Sequence, residues 1–181
     1  MAMAISVPRY TIADLERFPN DGNRYELLDG MLLVTPAPSH AHQIIVNRLQ
    51  SRLTQAVVIP RQGQVVGPGA IKVAPRTQLQ PDILVHPDRY PIDSKWEDID
   101  EHWLAVEVLS RSSRVYDREF KRDAYIALGV QEVWLVDRWN KEVDVSHERG
   151  SGVIVRHVLH WRVPQLAVDV EILLEDVFAG L

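Results

Sequence analysis

One carboxylate set inside an apolar run constrains this chain more than any other feature. Residues Trp103-Leu104-Ala105-Val106-Glu107-Val108-Leu109 read as a strand in which every position but Glu107 is apolar. A short run of that kind is what a central strand looks like when both of its faces are covered. Ile83-Leu84-Val85 and Val133-Trp134-Leu135-Val136 read the same way. Together they predict the middle of a covered sheet that carries an acid. Burying that acid is costly unless a cation or good hydrogen bonds compensate it.

The other segments predict what covers the sheet. Thr11 is placed to cap a short helix over 12–18, closed by Pro19-Asn20-Asp21-Gly22. Tyr25 to Val34 reads as two apolar strands around an Asp29-Gly30 turn, a hairpin. Ser39 can cap a long helix in which Ile45, Leu49, Leu53 and Val57 recur every four residues as one buried stripe. Residues 60–80 hold short strands between glycines and prolines. A helix over 115–128 ends at Gly129, where a C-terminal glycine belongs. Strands are expected over 143–146 and 153–161, and a last short helix over 170–178. The order predicts an α/β fold, a mixed β-sheet core flanked by helices.

At 181 residues and 46% hydrophobic, the chain is expected to form a single domain over 1–181. It has no cysteine, which excludes disulfides, thiolate zinc sites and cysteine nucleophiles. The first residues lack the basic and apolar regions of a signal peptide, and no apolar run approaches the ~20 residues of a membrane span. A cytoplasmic setting with no membrane partner is expected. The net charge of −5 argues against a protein that coats nucleic acid. Charge is uneven, however: Arg111, Arg114, Arg118, Lys121 and Arg122 crowd the stretch directly after the Glu107 strand.

Asp82 opens one central strand and Glu107 lies within another, so neighbouring strands would bring both to one ion. Mg²⁺ keeps several waters and needs only one or two carboxylates, with the carbonyl of Val108 as a plausible third ligand. Such an ion lowers the pKa of a bound water and clamps oxygens, which is what hydrolysis of a phosphodiester requires. Asp117, Lys121 and Tyr125 are spaced i, i+4, i+8 and share a helix face. Lys121 could orient the water or meet negative charge developing on the phosphate. Taken alone, a helical lysine more commonly pairs with an acid such as Asp117.

These residues also carry a resemblance. Arg24-Tyr25-Glu26-Leu27-Leu28-Asp29-Gly30, Pro36-Ala37-Pro38-Ser39 with His42, Gln80-Pro81-Asp82-Ile83-Leu84-Val85 and Glu107-Val108-Leu109-Ser110 are joined by Ser112, Asp117, Lys121, Tyr125, Gly129-Val130 and Glu132-Val133-Trp134-Leu135-Val136-Asp137. In this pattern the chain resembles the Uma2 family of endonucleases, formerly a domain of unknown function, almost end to end. The resemblance implies the restriction endonuclease-like PD-(D/E)XK fold and a nuclease dependent on Mg²⁺ or Mn²⁺, acting on nucleic acid, with DNA the expected substrate. It implies Asp82 and Glu107 as metal ligands, and Glu26 as a further ligand or the holder of a site water. The usual motif has its lysine two residues after the second acid, where this chain has Leu109; the resemblance implies that Lys121 replaces it. Arg111 departs from the family pattern, which usually has proline between the two serines.

His40 and His42 suggest zinc, but two residues apart on a helix their rings diverge, and no third ligand follows at a typical spacing. His42 could instead face the site from the helix N-terminus. Gly67-Pro68-Gly69 is no phosphate loop, because no Gly-Lys-Ser/Thr follows. A rival expectation is a catalytically silent member of this fold, a binding or assembly module; a homodimer is expected in either case.

Overall fold

The computed structural model describes residues 9–110 and 120–181. Its centre is a six-stranded sheet in which two neighbouring strands are buried at every position. These are β6 (Ile83–Pro87) and β7 (His102–Val108). β8 (Val130–Asp137) lies on the far side of β7, followed outward by β9 (Glu142–Ser146) and β10 (Val153–Val155). β3 (Gly63–Val66) closes the opposite edge beside β6. β7 and β8 run parallel, with Val106 opposite Trp134, whereas β6 runs antiparallel to β7, with Ile83 opposite Val106.

A parallel pair needs a crossover, and this one carries a short helix, α3 (Arg122–Ala127), between β7 and β8. It stops at Gly129, whose φ of 87° is a left-handed conformation that glycine adopts at little cost. The first part of the expected helix over 115–128, with Asp117, lies outside the described residues, as does Arg111.

Period-two alternation sorts the side chains of β6 and β7 to opposite faces. Val85, Leu104, Val106 and Val108 pack under α2 (His40–Leu53), whose stripe Ile45, Leu49 and Leu53 is fully buried and continues to Val57 in the π-helical turn Thr54–Val58. Ser39 caps α2 by accepting from the His42 N–H. On the other face Leu84 and Ala105 meet Tyr125 and Ala124 of α3 and Leu33, Ile71 and Leu79 of a second sheet. That sheet has four strands. It comprises the hairpin β1 (Arg24–Leu28) and β2 (Met31–Thr35) with β4 (Ile71–Val73) and β5 (Thr77–Leu79). The hairpin turns at Asp29 and Gly30, both at positive φ, as an Asp-Gly connection demands.

Three expectations need correction. The first helix, α1, spans only Ile12–Leu15. The single strand expected over 153–161 is two. Val153–Val155 joins the large sheet, and β11 (Val158–Arg162) pairs instead with β12 (Asp169–Leu173) in a separate ribbon. The last helix was expected from 170 but begins at Leu174 as α4 (Leu174–Val177). The residues before it alternate, with Val170 and Ile172 buried and Asp169, Glu171 and Leu173 exposed, which is the period of a strand and not of a helix. Among the described residues no helix is long and apolar enough to cross a membrane.

Candidate active site

Glu26 sits on β1 with Arg24 two residues before it, so both project from one side of the strand. The second sheet packs against the Glu107 face of the first, and Glu26 is fully buried where they meet. Its Oε1 accepts from the main-chain N–H of Gln80 at 2.7 Å, and its Oε2 from Nζ of Lys121 at 2.9 Å. The same ammonium reaches Oε1 of Glu107 at 3.2 Å. Tyr125, one turn further along, donates its hydroxyl to that oxygen at 2.5 Å. Lys121 therefore bridges two buried carboxylates that come from different sheets.

Asp82 immediately precedes β6, one step beyond the Ile83–Val106 pair. Its Oδ2 accepts from the Val108 N–H at 2.9 Å and lies 3.0 Å from Nε2 of His42. Its Oδ1 accepts from Arg24 at 3.0 Å, and Arg24 also donates to the Gln80 carbonyl at 2.7 Å.

These surroundings push the two acids in opposite directions. Burial raises Glu107 to about 7; Asp82 and Glu26 add to that, while Lys121 and Arg24 oppose it. Burial would raise Asp82 as well, but the His42 hydrogen bond, the Arg24 charge and the Val108 N–H hold it below the ordinary carboxylate value. Tyr125 is pushed well above the ordinary phenol, first by burial and then by Glu107 and Glu26, so it stays a donor. Burial disfavours the Arg24 guanidinium, yet Glu107, Asp82 and Glu26 together keep it charged. A cavity of about 200 Å³ is lined by Glu107, Val108, Lys121, Arg24 and His42.

No group of three or more His, Asp or Glu side chains among the described residues is arranged as a metal cage. Mg²⁺ does not require one, since it is held by one or two carboxylates with waters and carbonyls. Asp82, Glu107 and the Val108 carbonyl are hard oxygen donors of that kind. The upward shift of Glu107 marks a buried carboxylate short of positive charge, which a divalent cation would supply. The donor set fits the ion.

Of the residues singled out in the sequence, Glu26, Asp82, Glu107, Val108, Lys121 and Tyr125 stand together, while Asp117 lies outside the described residues. His42 joins them on Asp82; His40 is exposed, as two rings on divergent faces must be. Arg24, not singled out as a site residue in the sequence, is bound to Asp82. Its signal was available in the Arg24-x-Glu26 spacing, which puts both on one side of a strand.

The Uma2 family model, described as "Putative restriction endonuclease", matches residues 12–181. The chain belongs to this family. Among solved structures it is similar to a chain described as a "putative nuclease belonging to DUF820" from Anabaena variabilis ATCC 29413. The two share 17% identity at a TM-score of 0.71, over 93% of this chain and 97% of that one. At that identity the likeness establishes the fold. A search of curated proteins gave no match. For this Uma2 member the family and the nuclease fold together support a nuclease.

Proposed function

We propose that this Uma2 protein is a metal-dependent endonuclease that hydrolyses phosphodiester bonds in DNA. One observation carries the reading: a buried ammonium, Lys121, set between Glu26 and Glu107 beside a cavity that also reaches Val108 and His42. A fold has no structural need to bury such a cluster, because apolar residues of similar volume stabilise as well or better.

Asp82 and Glu107 would hold Mg²⁺ or Mn²⁺, with the Val108 carbonyl as third protein donor. The ion would lower the pKa of water and neutralise charge on the phosphate. Lys121 holds the attacking water or a phosphate oxygen by donating to it. Glu26 keeps that ammonium in place, and Tyr125 fixes Glu107. Water oxygen bonds to phosphorus and gives up a proton to solvent as one ester P–O bond breaks, and the departing oxygen takes a proton from solvent.

Supercoiled plasmid tests this with purified protein in Mg²⁺ or Mn²⁺. Wild type should nick it, and Glu107→Ala and Lys121→Ala should each slow nicking by roughly 10²–10³-fold, the usual effect of removing a group that stabilises the transition state. Variants that nick as fast as wild type would overturn the assignment.

A second reading, a silent binding or assembly module, draws on Asp82, whose two oxygens are already taken up by His42, Arg24 and the Val108 N–H. Thermal shift separates the two. Mn²⁺ should raise the melting temperature of wild type and not that of Asp82→Ala, because binding to the native state stabilises it by mass action. An identical response in both would remove Asp82 as a ligand.

A further inference from the structure

A hollow of about 560 Å³ adjoins the charged cluster and shares Arg24 and Asp82 with it. Those two are the only charged side chains that line it among the described residues, and each already engages the other. Amides dominate the rest of the wall. Gln43, Asn47 and Gln50 stand at i, i+4 and i+7 along one face of α2, and Gln78 reaches the hollow from β5. None of these four side-chain amides is taken up by another described residue. Phe18 and Tyr25, their rings stacked at 4.9 Å, contribute an aromatic wall.

A lining of this kind suits one part of a nucleic acid and not another. Phosphates are bound by cations and helix termini, and the only cation here is committed to Asp82. Amides carry a donor and an acceptor side by side, the pattern that matches the edge of a base. Aromatic rings add stacking that any base accepts. The volume falls within the roughly 300–1,000 Å³ typical of pockets that enclose a ligand. A base inside a duplex has its pairing edge engaged and both faces stacked, so it cannot enter a concave pocket without leaving the helix.

We infer that this amide-lined hollow holds one unpaired nucleobase of the strand being cut, so that the protein selects single-stranded or locally opened nucleic acid over intact duplex. The inference rests on the nuclease reading for its substrate class. It makes Gln43, Asn47 and Gln50 specificity residues lying next to the metal-binding acids.

The test is fluorescence anisotropy on the 181-residue chain in EDTA, where no cutting occurs. The ligands are an end-labelled single strand of mixed sequence and the same strand annealed to its complement. Wild type should bind the single strand about tenfold or more tightly than the duplex. Gln43→Leu combined with Asn47→Leu should weaken single-strand binding by roughly tenfold and leave duplex binding as it was. Both positions are exposed, and melting curves check the fold; Gln43→Ala with Asn47→Ala serves if leucine perturbs it. Equal binding of both ligands, no binding of either, or a variant that binds like wild type would overturn the inference. Nicking that depends on Glu107 alongside a pocket variant that binds like wild type would leave the nuclease reading standing alone. A single-strand preference lost in the variant, with no metal supporting any cutting, would leave the pocket standing and the nuclease reading overturned.

Discussion

Asp82 and Glu107 are neighbours on adjacent strands, yet their surroundings treat them as opposites. Asp82 receives three donors, one of them the fixed positive charge of Arg24, and ionises more readily than a free aspartate. Glu107 also receives an ammonium and a phenol, but burial outweighs both and lifts it to about 7. Both acids are buried and have lost nearly all their water; what differs is that Asp82 has one donor more, while Glu107 also feels the charges of Asp82 and Glu26. One acid is thereby committed to the ionised state, and the other is left on the edge of it. Paired groups whose environments drive their ionisation apart are a common sign of a site built for proton or metal chemistry.

The comparison breaks most violently if the shared cation is removed. Lys121→Met leaves Glu26 and Glu107 facing each other without an ammonium, and should cost about 3–5 kcal/mol of folding stability at pH 8. The loss should shrink at pH 5.5, where Glu107 takes up a proton in the folded state. Urea unfolding at the two pH values measures it, and a cost independent of pH would mean Glu107 is not the group under strain.

A smaller effect sharpens the Glu107 side alone. With its folded value raised from 4.5 to about 7, the stability contributed by neutral Glu107 is complete below pH 4.5 and is lost as pH rises toward 7. In metal-free protein Glu107→Gln should therefore gain on wild type across that window and hold its advantage above it. Melting temperatures from pH 4.5 to 8 test this; a constant difference would show that burial does not dominate at Glu107. Smallest of all, Tyr125→Phe removes one hydrogen bond to Glu107 and should cost about 1 kcal/mol. A loss several times larger would assign Tyr125 a role beyond that contact.

Much of this was legible in the sequence, for identifiable reasons. Strands β6, β7 and β8 declare themselves because burial on both faces admits few polar residues, and that same background makes Glu107 conspicuous. The α2 stripe and the Asp29-Gly30 turn are equally local signals. Elsewhere the deciding partner lies far away in the chain. Val170 to Leu173 reads as part of a terminal helix until β11 is there to pair with it. Arg24 reads as a neighbour of Glu26 until the sheets dock and Asp82 lies closer. His42 looks like half of a failed zinc motif until α2 sets it on Asp82. The amides of the adjoining hollow carry no motif, and only the fold, which sets α2 and β5 on the walls of one hollow, gathers them.

The bridge from Glu26 through Lys121 to Glu107, with the Arg24–Asp82 pair beside it, joins two sheets that elsewhere meet through apolar side chains. Assembly of the site and docking of the hairpin sheet are consequently one event. A molecule whose hairpin has come away loses the clamp on Lys121 in the same step. On the proposed reading it loses the ability to cut DNA as well, so a half-folded copy of a destructive enzyme is disarmed by its own architecture.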